Sequence, residues 1–266
     1  MVVLTLRHKA TVGPGDWEYA STLAHGLSVL EAFRLGEPLL SNKELSRRTG
    51  LSKASISRMT STLMTIGLLE FDERQKRYRL GATILSLGYP LLAATQIRQY
   101  ARPAMKELAE YVNGSVSLGI RDRSRMVYLE TVRGHEALQF RPEIGLAIPL
   151  LASAMGRAWL AGASQAERIE ALRDTRLQDR AQWRSYAARA KAEVSCFATR
   201  GYCISRDWQA DVHAIGVPLR RRIEGEQIVF NCGIPVARLT SKQLERDYAP
   251  RLMQLVERFE SQVGAT

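Results

Sequence analysis

The chain has 266 residues, which exceeds the usual size of one domain and is enough to bury two separate cores. It carries 38 Lys and Arg against 27 Asp and Glu, a formal charge of +11 that favours polyanionic partners. Cys196, Cys203 and Cys232 form no C-x-x-C pair and leave an odd thiol, which suits a reducing cytosol, and the longest apolar run, residues 82–97, contains Gly88 and Pro90 and falls short of the ~18 residues expected of a membrane span.

Residues 1–16 read as a flexible leader. Met1 to Leu6 is too short for the apolar core of a secretory signal and runs into Arg7-His8-Lys9, and Gly13-Pro14-Gly15 breaks any continuing element. Over residues 17–81 the pattern predicts a winged helix-turn-helix domain. A first helix at 17–34 is expected to bury Leu23, Leu27, Leu30 and Phe33 as one stripe, and Gly36 and Pro38 end it. Ser41 and Glu44 make an S-x-x-E capping box for a short helix at 42–48. Thr49-Gly50-Leu51 is the turn, with Gly50 left-handed, and Ser52 caps a third helix that Gly67 terminates. On this helix Ile56, Met59, Leu63 and Ile66 share the inner side, while Lys53, Ala54, Ser57, Arg58 and Ser61 face mainly outward.

Small side chains let a helix axis approach the major groove, and Arg, Lys and Ser supply donors to base edges or phosphates. After Gly67, Leu69 and Phe71 alternate with polar residues, 72–76 turns the chain, and Tyr78 and Leu80 alternate on the return. The tip presents Arg74, Lys76, Arg77 and Arg79, cations suited to a backbone or a minor groove. Any one piece alone reads as a cap, a solvated face or an ordinary turn. Their order within one compact segment predicts binding to double-stranded DNA through Ser41, Ser52, Lys53, Ala54, Ser57, Arg58, Ser61, Arg74, Lys76 and Arg77.

Residues 82–97 read as a linker helix. Its Ile84, Leu85, Leu87, Leu91 and Leu92 exceed what a helix between two domains needs, so either a partner subunit or the second domain covers them. Residues 98–266 mix helices and strands. Met105, Leu108, Ala109 and Val112 mark a helix ending at Asn113-Gly114; 116–120 and 126–131 form a hairpin around Asp122-Arg123-Ser124. Helices are expected at 152–161 and 183–200, strands at 213–218 and 227–232, and a last helix at 241–263. The class is α+β, an antiparallel sheet flanked by helices.

The runs Leu23-Ala24-His25-Gly26-Leu27-Ser28-Val29-Leu30-Glu31-Ala32-Phe33 and Gly50-Leu51-Ser52-Lys53-Ala54-Ser55-Ile56-Ser57-Arg58 resemble the DNA-binding domain of the IclR family of bacterial transcription regulators, as do Gly67-Leu68-Leu69 and Tyr78-Arg79-Leu80-Gly81. The resemblance continues in family order through Ser117-Leu118-Gly119-Ile120, Val127-Tyr128-Leu129-Glu130, Gly156-Arg157-Ala158, Arg200-Gly201-Tyr202 and Asn231-Cys232-Gly233-Ile234-Pro235. It implies a GAF-like effector-binding domain over 98–266, with Ala154 and Met155 at the pocket floor, Ser205 and Ile215 on neighbouring strands, and Asn231 and Gly233 on the opposite wall. The residues themselves point to the same place: 149–156 passes through small side chains into a helix whose free N–H groups suit a carboxylate.

Leu151 stands where the family often has histidine, Ser205-Arg206-Asp207-Trp208 replaces a usual acidic stretch, and Met155 is large where a small residue is common. These departures predict an effector more aromatic or apolar than a small keto acid, or a degenerate site. Enzyme motifs are missing: His8, His25, His135 and His213 are scattered, and no G-x-S-x-G elbow, phosphate loop or dinucleotide fingerprint occurs. The expectation is a cytoplasmic homodimer, or dimer of dimers, on a pseudo-palindromic operator, needing no cofactor, metal or membrane, and controlling catabolic genes in response to a small organic effector. The alternative is an enzyme or sensor of small organic acids that uses the winged segment for dimerisation.

Overall fold

The computed structural model describes residues 20–134, 142–240 and 242–263, and the chain divides into two compact units between Thr95 and Gln96. The expected leader, Trp17, His8 and His135 lie outside the described residues.

In the first unit α1 (Ser21–Glu31), α2 (Asn42–Thr49) and α3 (Lys53–Thr65) precede a hairpin of β1 (Leu69–Asp72) and β2 (Arg77–Leu80), followed by α4 (Thr83–Ala94). Both capping expectations hold. Ser41 Oγ accepts from Glu44 N–H while Glu44 accepts from Ser41 N–H, and Gly50 ends α2 at φ 75°, a left-handed conformation that would strain a residue bearing a Cβ. Ser52 Oγ caps α3 by accepting from Ser55 N–H. The core comprises Val29, Leu40, Leu45, Ile56, Leu63, Leu69 and Tyr78. Tyr78 exchanges both backbone hydrogen bonds with Leu40, at 2.8 and 2.9 Å, so the wing is stitched to the start of α2.

Two apolar assignments need correction. Leu23 and Leu27 are 65% and 51% exposed, and the inner face of α1 is instead Gly26 and Val29, with Leu30 and Phe33 partly covered. Ile66, expected inside, is 55% exposed because α3 ends at Thr65 and Ile66 follows as its C-cap. No residue of α4 is buried, and Leu85, Leu87, Tyr89 and Leu91 all stand exposed.

The second unit is built on one antiparallel sheet of order β5-β4-β3-β8-β7-β6. Its strands are β3 (Ser115–Asp122), β4 (Arg125–Arg133), β5 (Ala147–Pro149), β6 (Cys203–Gln209), β7 (Val212–Pro218) and β8 (Val229–Pro235). The helices are α5 (Ile97–Val112), α6 (Ala154–Gly162), α7 (Gln165–Gln178), α8 (Arg180–Arg200) and α9 (Ala249–Val263), with a wide turn at Leu244–Tyr248 ahead of α9. Helix α7 and strand β5 were not expected, and the final helix begins at Ala249 rather than at the predicted 241.

Side chains alternate across the sheet, so register assigns each strand residue to a face. One face meets α6. A Cβ on Gly216 would lie 2.4 Å from Ala154 O, so only glycine admits the helix there. The other face meets α9, where the Phe230 and Phe259 rings pack at a tilt with centroids 5.6 Å apart. Gly216 pairs with Asn231, Ala214 with Gly233 and with Ser205, all on the α6 side; Ile215 pairs with Cys232 and lies with Phe230 on the α9 side.

Candidate nucleic-acid interface and ligand cavity

Helix α3 holds Ile56, Thr60 and Leu63 in the core and leaves Lys53, Ala54, Ser57, Arg58 and Ser61 in solvent. It carries no acidic residue, and neither Lys53 nor Arg58 has an ion-pair partner among the described residues. Thr60 was not singled out from sequence. Its hydroxyl donates to Ile56 O at 3.0 Å and stands 3.4 Å from Tyr78 Oη, fixing the wing against α3. Lys43 and Arg47 on α2 are also cations, where the first helix of such a pair passes the backbone.

The wing cations divide. Arg74 is exposed in the turn with no ion pair among the described residues. Lys76, at φ 53°, meets Glu73 at 2.7 Å with both side chains more than two-thirds exposed, an exchangeable pair that phosphate can replace. Arg79 is held by Glu70 at 2.6 Å. Arg77 does not belong to the tip: it donates to Leu39 O at 3.3 Å and lies 3.6 Å from Glu44, turned toward the start of α2. Ser41 is likewise committed, since its hydroxyl donates to Glu44 at 2.6 Å. The hydrogen bonds from the Ser41 hydroxyl and backbone hold the Glu44 carboxyl below its ordinary pKa. Ser41→Ala is expected to destabilise the first unit by about 1 kcal/mol and to move Glu44 back toward the usual carboxylate range, read by urea unfolding and by NMR titration of the carboxyl carbon.

In the second unit a cavity of about 20 Å³ lies between the start of α6 and the sheet. Ala154, Ser205, Asn231 and Gly233, four of the six residues that the resemblance implies for the effector, line it. Met155 and Ile215 do not. Met155 is fully buried with its sulfur against Gly119, and Ile215 faces α9 on the opposite side of the sheet. Ser115, Tyr128, Trp208 and Ala214 are also in the walls and were missed. Ala214 was within reach of sequence reasoning, because strand alternation puts it on the same side as Asn231 once the α6 face is known.

Among the described residues, no cation or carboxylate lines this cavity. Asn231 is 5% exposed, and its Oδ1 is buried with no hydrogen-bond partner. Such an orphan is rare, since buried amides are ordinarily satisfied. Ser153 Oγ caps α6, donating to Pro149 O at 2.7 Å and accepting from Gly156 N–H at 3.1 Å. That leaves the N–H groups of Ala154 and Met155 at the positive end of the helix. Ser205 Oγ donates to Ala152 O at 2.6 Å. Burial pushes the Tyr128 hydroxyl far up its scale, so it stays protonated.

Behind the cavity Arg157, 3% exposed, binds α6 to β6. It donates to Leu151 O at 3.0 Å, Ile204 O at 2.8 Å and Asp207 at 3.0 Å; Asp207 also receives Arg189 at 2.7 Å. Burial would raise the Asp207 pKa, but Arg157 and Arg189 outweigh it and hold the carboxyl low. Among the described residues no cluster of three His, Cys, Asp or Glu side chains is placed to hold a metal, and no helix is long and apolar enough to cross a membrane.

Residues 22–73 match the IclR helix-turn-helix domain, and residues 90–262 match the family described as bacterial transcriptional regulator IclR C-terminal. The chain is 32% identical over 250 residues to the HTH-type transcriptional regulator TsaQ1/TsaQ2 of Comamonas testosteroni, covering 92% of this chain and 88% of the relative. It superposes on an IclR family transcriptional regulator from Brucella abortus with TM-score 0.83 at 37% identity, over 96% of each chain. An IclR homolog from Microbacterium hydrocarbonoxydans, solved with 4-hydroxybenzoate, shares the fold at TM-score 0.70 and 21% identity, over 92% of this chain and all of that one. The chain belongs to the IclR family, a DNA-binding transcription regulator with an N-terminal winged helix-turn-helix and a C-terminal domain for a small-molecule effector.

Proposed function

We propose that this regulator acts in the cytoplasm as a homodimer or dimer of dimers on a pseudo-palindromic operator, and that its effector is a small, mainly apolar or aromatic carboxylate taken into the cavity beside Asn231. Lys53, Ser57 and Arg58 on α3 read base edges, with Ala54 and Ser61 permitting close approach and Ser52 fixing the helix start. Arg74 and Lys76 hold phosphates, while Ser41 and Arg77 position α2. The exposed apolar surface of α4, together with Leu23 and Leu27, supplies the contact between subunits. Under this reading, DNA-binding residues span 17–81, the linker 82–97 and the effector domain 98–266.

The observation that carries the effector reading is the unpartnered Asn231 Oδ1 facing an uncharged cavity at a helix N-terminus. The carboxylate meets the start of α6 at the Ala154 N–H, the effector's polar end satisfies Asn231, and its body lies against Trp208 and Tyr128. The solved homolog with 4-hydroxybenzoate supports an aromatic acid as the first class to test. Effector control of catabolic genes follows if the ligand binds one arrangement of domains better than another.

Thermal-shift screening of aromatic and aliphatic acids should find a ligand that raises the melting temperature, because a ligand selective for the folded state stabilises it. Asn231→Leu is then expected to abolish that shift and the ligand's effect on operator binding in fluorescence anisotropy, with unliganded DNA affinity unchanged. An undiminished ligand response in Asn231→Leu would remove this residue from the site.

A further inference from the structure

Helix α8 carries five cations, Arg180, Arg184, Arg189, Lys191 and Arg200, against one acid, Glu193. Two of the five are neutralised: Arg189 by Asp207 at 2.7 Å and Arg200 by Glu193 at 2.6 Å. The acids of the preceding helix and turn are used elsewhere. Glu167 holds Arg222, Glu170 and Asp174 face Arg121, and Asp179 caps α8 by accepting from Gln182. Arg180, Arg184 and Lys191 therefore stand exposed without an ion pair among the described residues, and so does Arg176, whose guanidinium lies 5.9 Å from the Trp183 ring near the start of α8.

At about 100° per residue, Arg180, Arg184 and Lys191 fall within about 40° of one another and span about 16 Å of helix. Around them the exposed side chains are small: Ala181, Ala188, Ala192 and Ser195. Helix stability does not account for the arrangement, since Arg180 sits at the positive end of the dipole, where a cation is unfavourable, and no acid occupies the first turn. A protein partner would be anchored by several large exposed apolar or aromatic side chains; along the line from Arg180 to Ser195 Trp183 and Val194 are half-buried, and Leu177 beside Arg176 is 54% exposed at its edge. Cations set among small residues on a straight rod match a sugar–phosphate backbone instead.

We propose that the exposed face of α8, with Arg176, is a second, sequence-independent DNA contact in the effector domain that engages duplex flanking the operator. It neutralises phosphates beyond those reached by the winged domain and makes affinity depend on duplex length.

The full-length protein should be titrated, by fluorescence anisotropy across a range of salt, onto two duplexes from its own upstream region. One is the shortest that binds; the other extends it by about 20 base pairs on each side. The parent is expected to bind the longer duplex more tightly and with a steeper salt dependence. In the triple variant R180Q/R184Q/K191Q that advantage should vanish, the log–log salt slope falling by about 2–3 for each subunit engaged, at roughly 0.9 for each phosphate no longer neutralised, while the short duplex is bound as by the parent. Circular dichroism and gel filtration check that fold and assembly are unchanged. Equal affinity of parent and variant for the long duplex overturns the proposal. So does an equal loss on both duplexes, and so does unchanged DNA binding accompanied by lost transcription in a reconstituted assay, which assigns the face to a protein. Failure of the parent on both duplexes counts against operator recognition by α3 rather than against α8.

Discussion

Arg157→Ala is expected to destabilise the second unit by about 3–5 kcal/mol, the range for removing one partner of a buried charge network. Arg157 donates hydrogen bonds from a nearly water-free position, among them those to the carbonyls of Leu151 and Ile204. Alanine would strand both carbonyls and leave Asp207 with Arg189 as its remaining cation. For a unit of this size the melting temperature should fall by about 6–20 °C. Arg157→Lys keeps the charge without the planar fork and should fall between parent and alanine.

The pH dependence has a definite sign. Asp207 is held below its ordinary pKa in the folded state, so its contribution is fully present above the usual aspartate range and is lost as pH falls through it toward the lowered value. The acid limb of the stability profile should accordingly be shallower in Arg157→Ala than in the parent. A change in unfolding free energy under about 1 kcal/mol at neutral pH would show that the network is not holding α6 to β6.

Arg58→Ala should lower affinity for the preferred operator by about 10- to 100-fold, or about 1–3 kcal/mol, and should do so far more than for unrelated duplex. Arg58 is exposed on a helix without acids, with its guanidinium uncommitted among the described residues. Lys76→Ala should instead weaken binding evenly across sequences and reduce the salt slope by about 1 for each subunit bound. The Lys76–Glu73 pair is so exposed that exchanging it for a phosphate involves little loss. Competition binding against scrambled duplexes separates the two outcomes, and an equal loss of discrimination from both substitutions would contradict the assigned roles.

The winged segment was legible because its signals are local. Ser41-x-x-Glu44, Gly50 and Ser52 are read within a few residues, and each appears where expected. The inner face of α1 was not legible, since Gly26 and Val29 define it while the larger Leu23 and Leu27 dominate any hydropathy reading. Gly26 faces Met59 of α3, whose sulfur would lie 3.9 Å from an added Cβ, so the smallest side chain there marks contact rather than solvent. Helix α7 was missed because its buried residues, Ala171 and Thr175, are too small to make a periodic stripe among so many charges.

Of the residues that the family resemblance implied for the effector, Ala154, Ser205, Asn231 and Gly233 line the cavity and Ile215 does not. A single strand shows that Ala214 and Ile215 face opposite ways; which of the two meets α6 depends on the pairing with β8, a long-range fact. Met155 follows the same logic on a helix, where one step from Ala154 turns the side chain about 100° into the core.

A hollow of about 20 Å³ has room for a single water molecule and not for an organic acid. If the effector takes this cavity, as proposed, its entry parts β6 from the head of α6, the junction that Arg157 and Asp207 fasten. Observed affinity is then the intrinsic affinity multiplied by the fraction of molecules already opened. The same latch sets both the ligand concentration at which the switch is thrown and how firmly the resting state is kept.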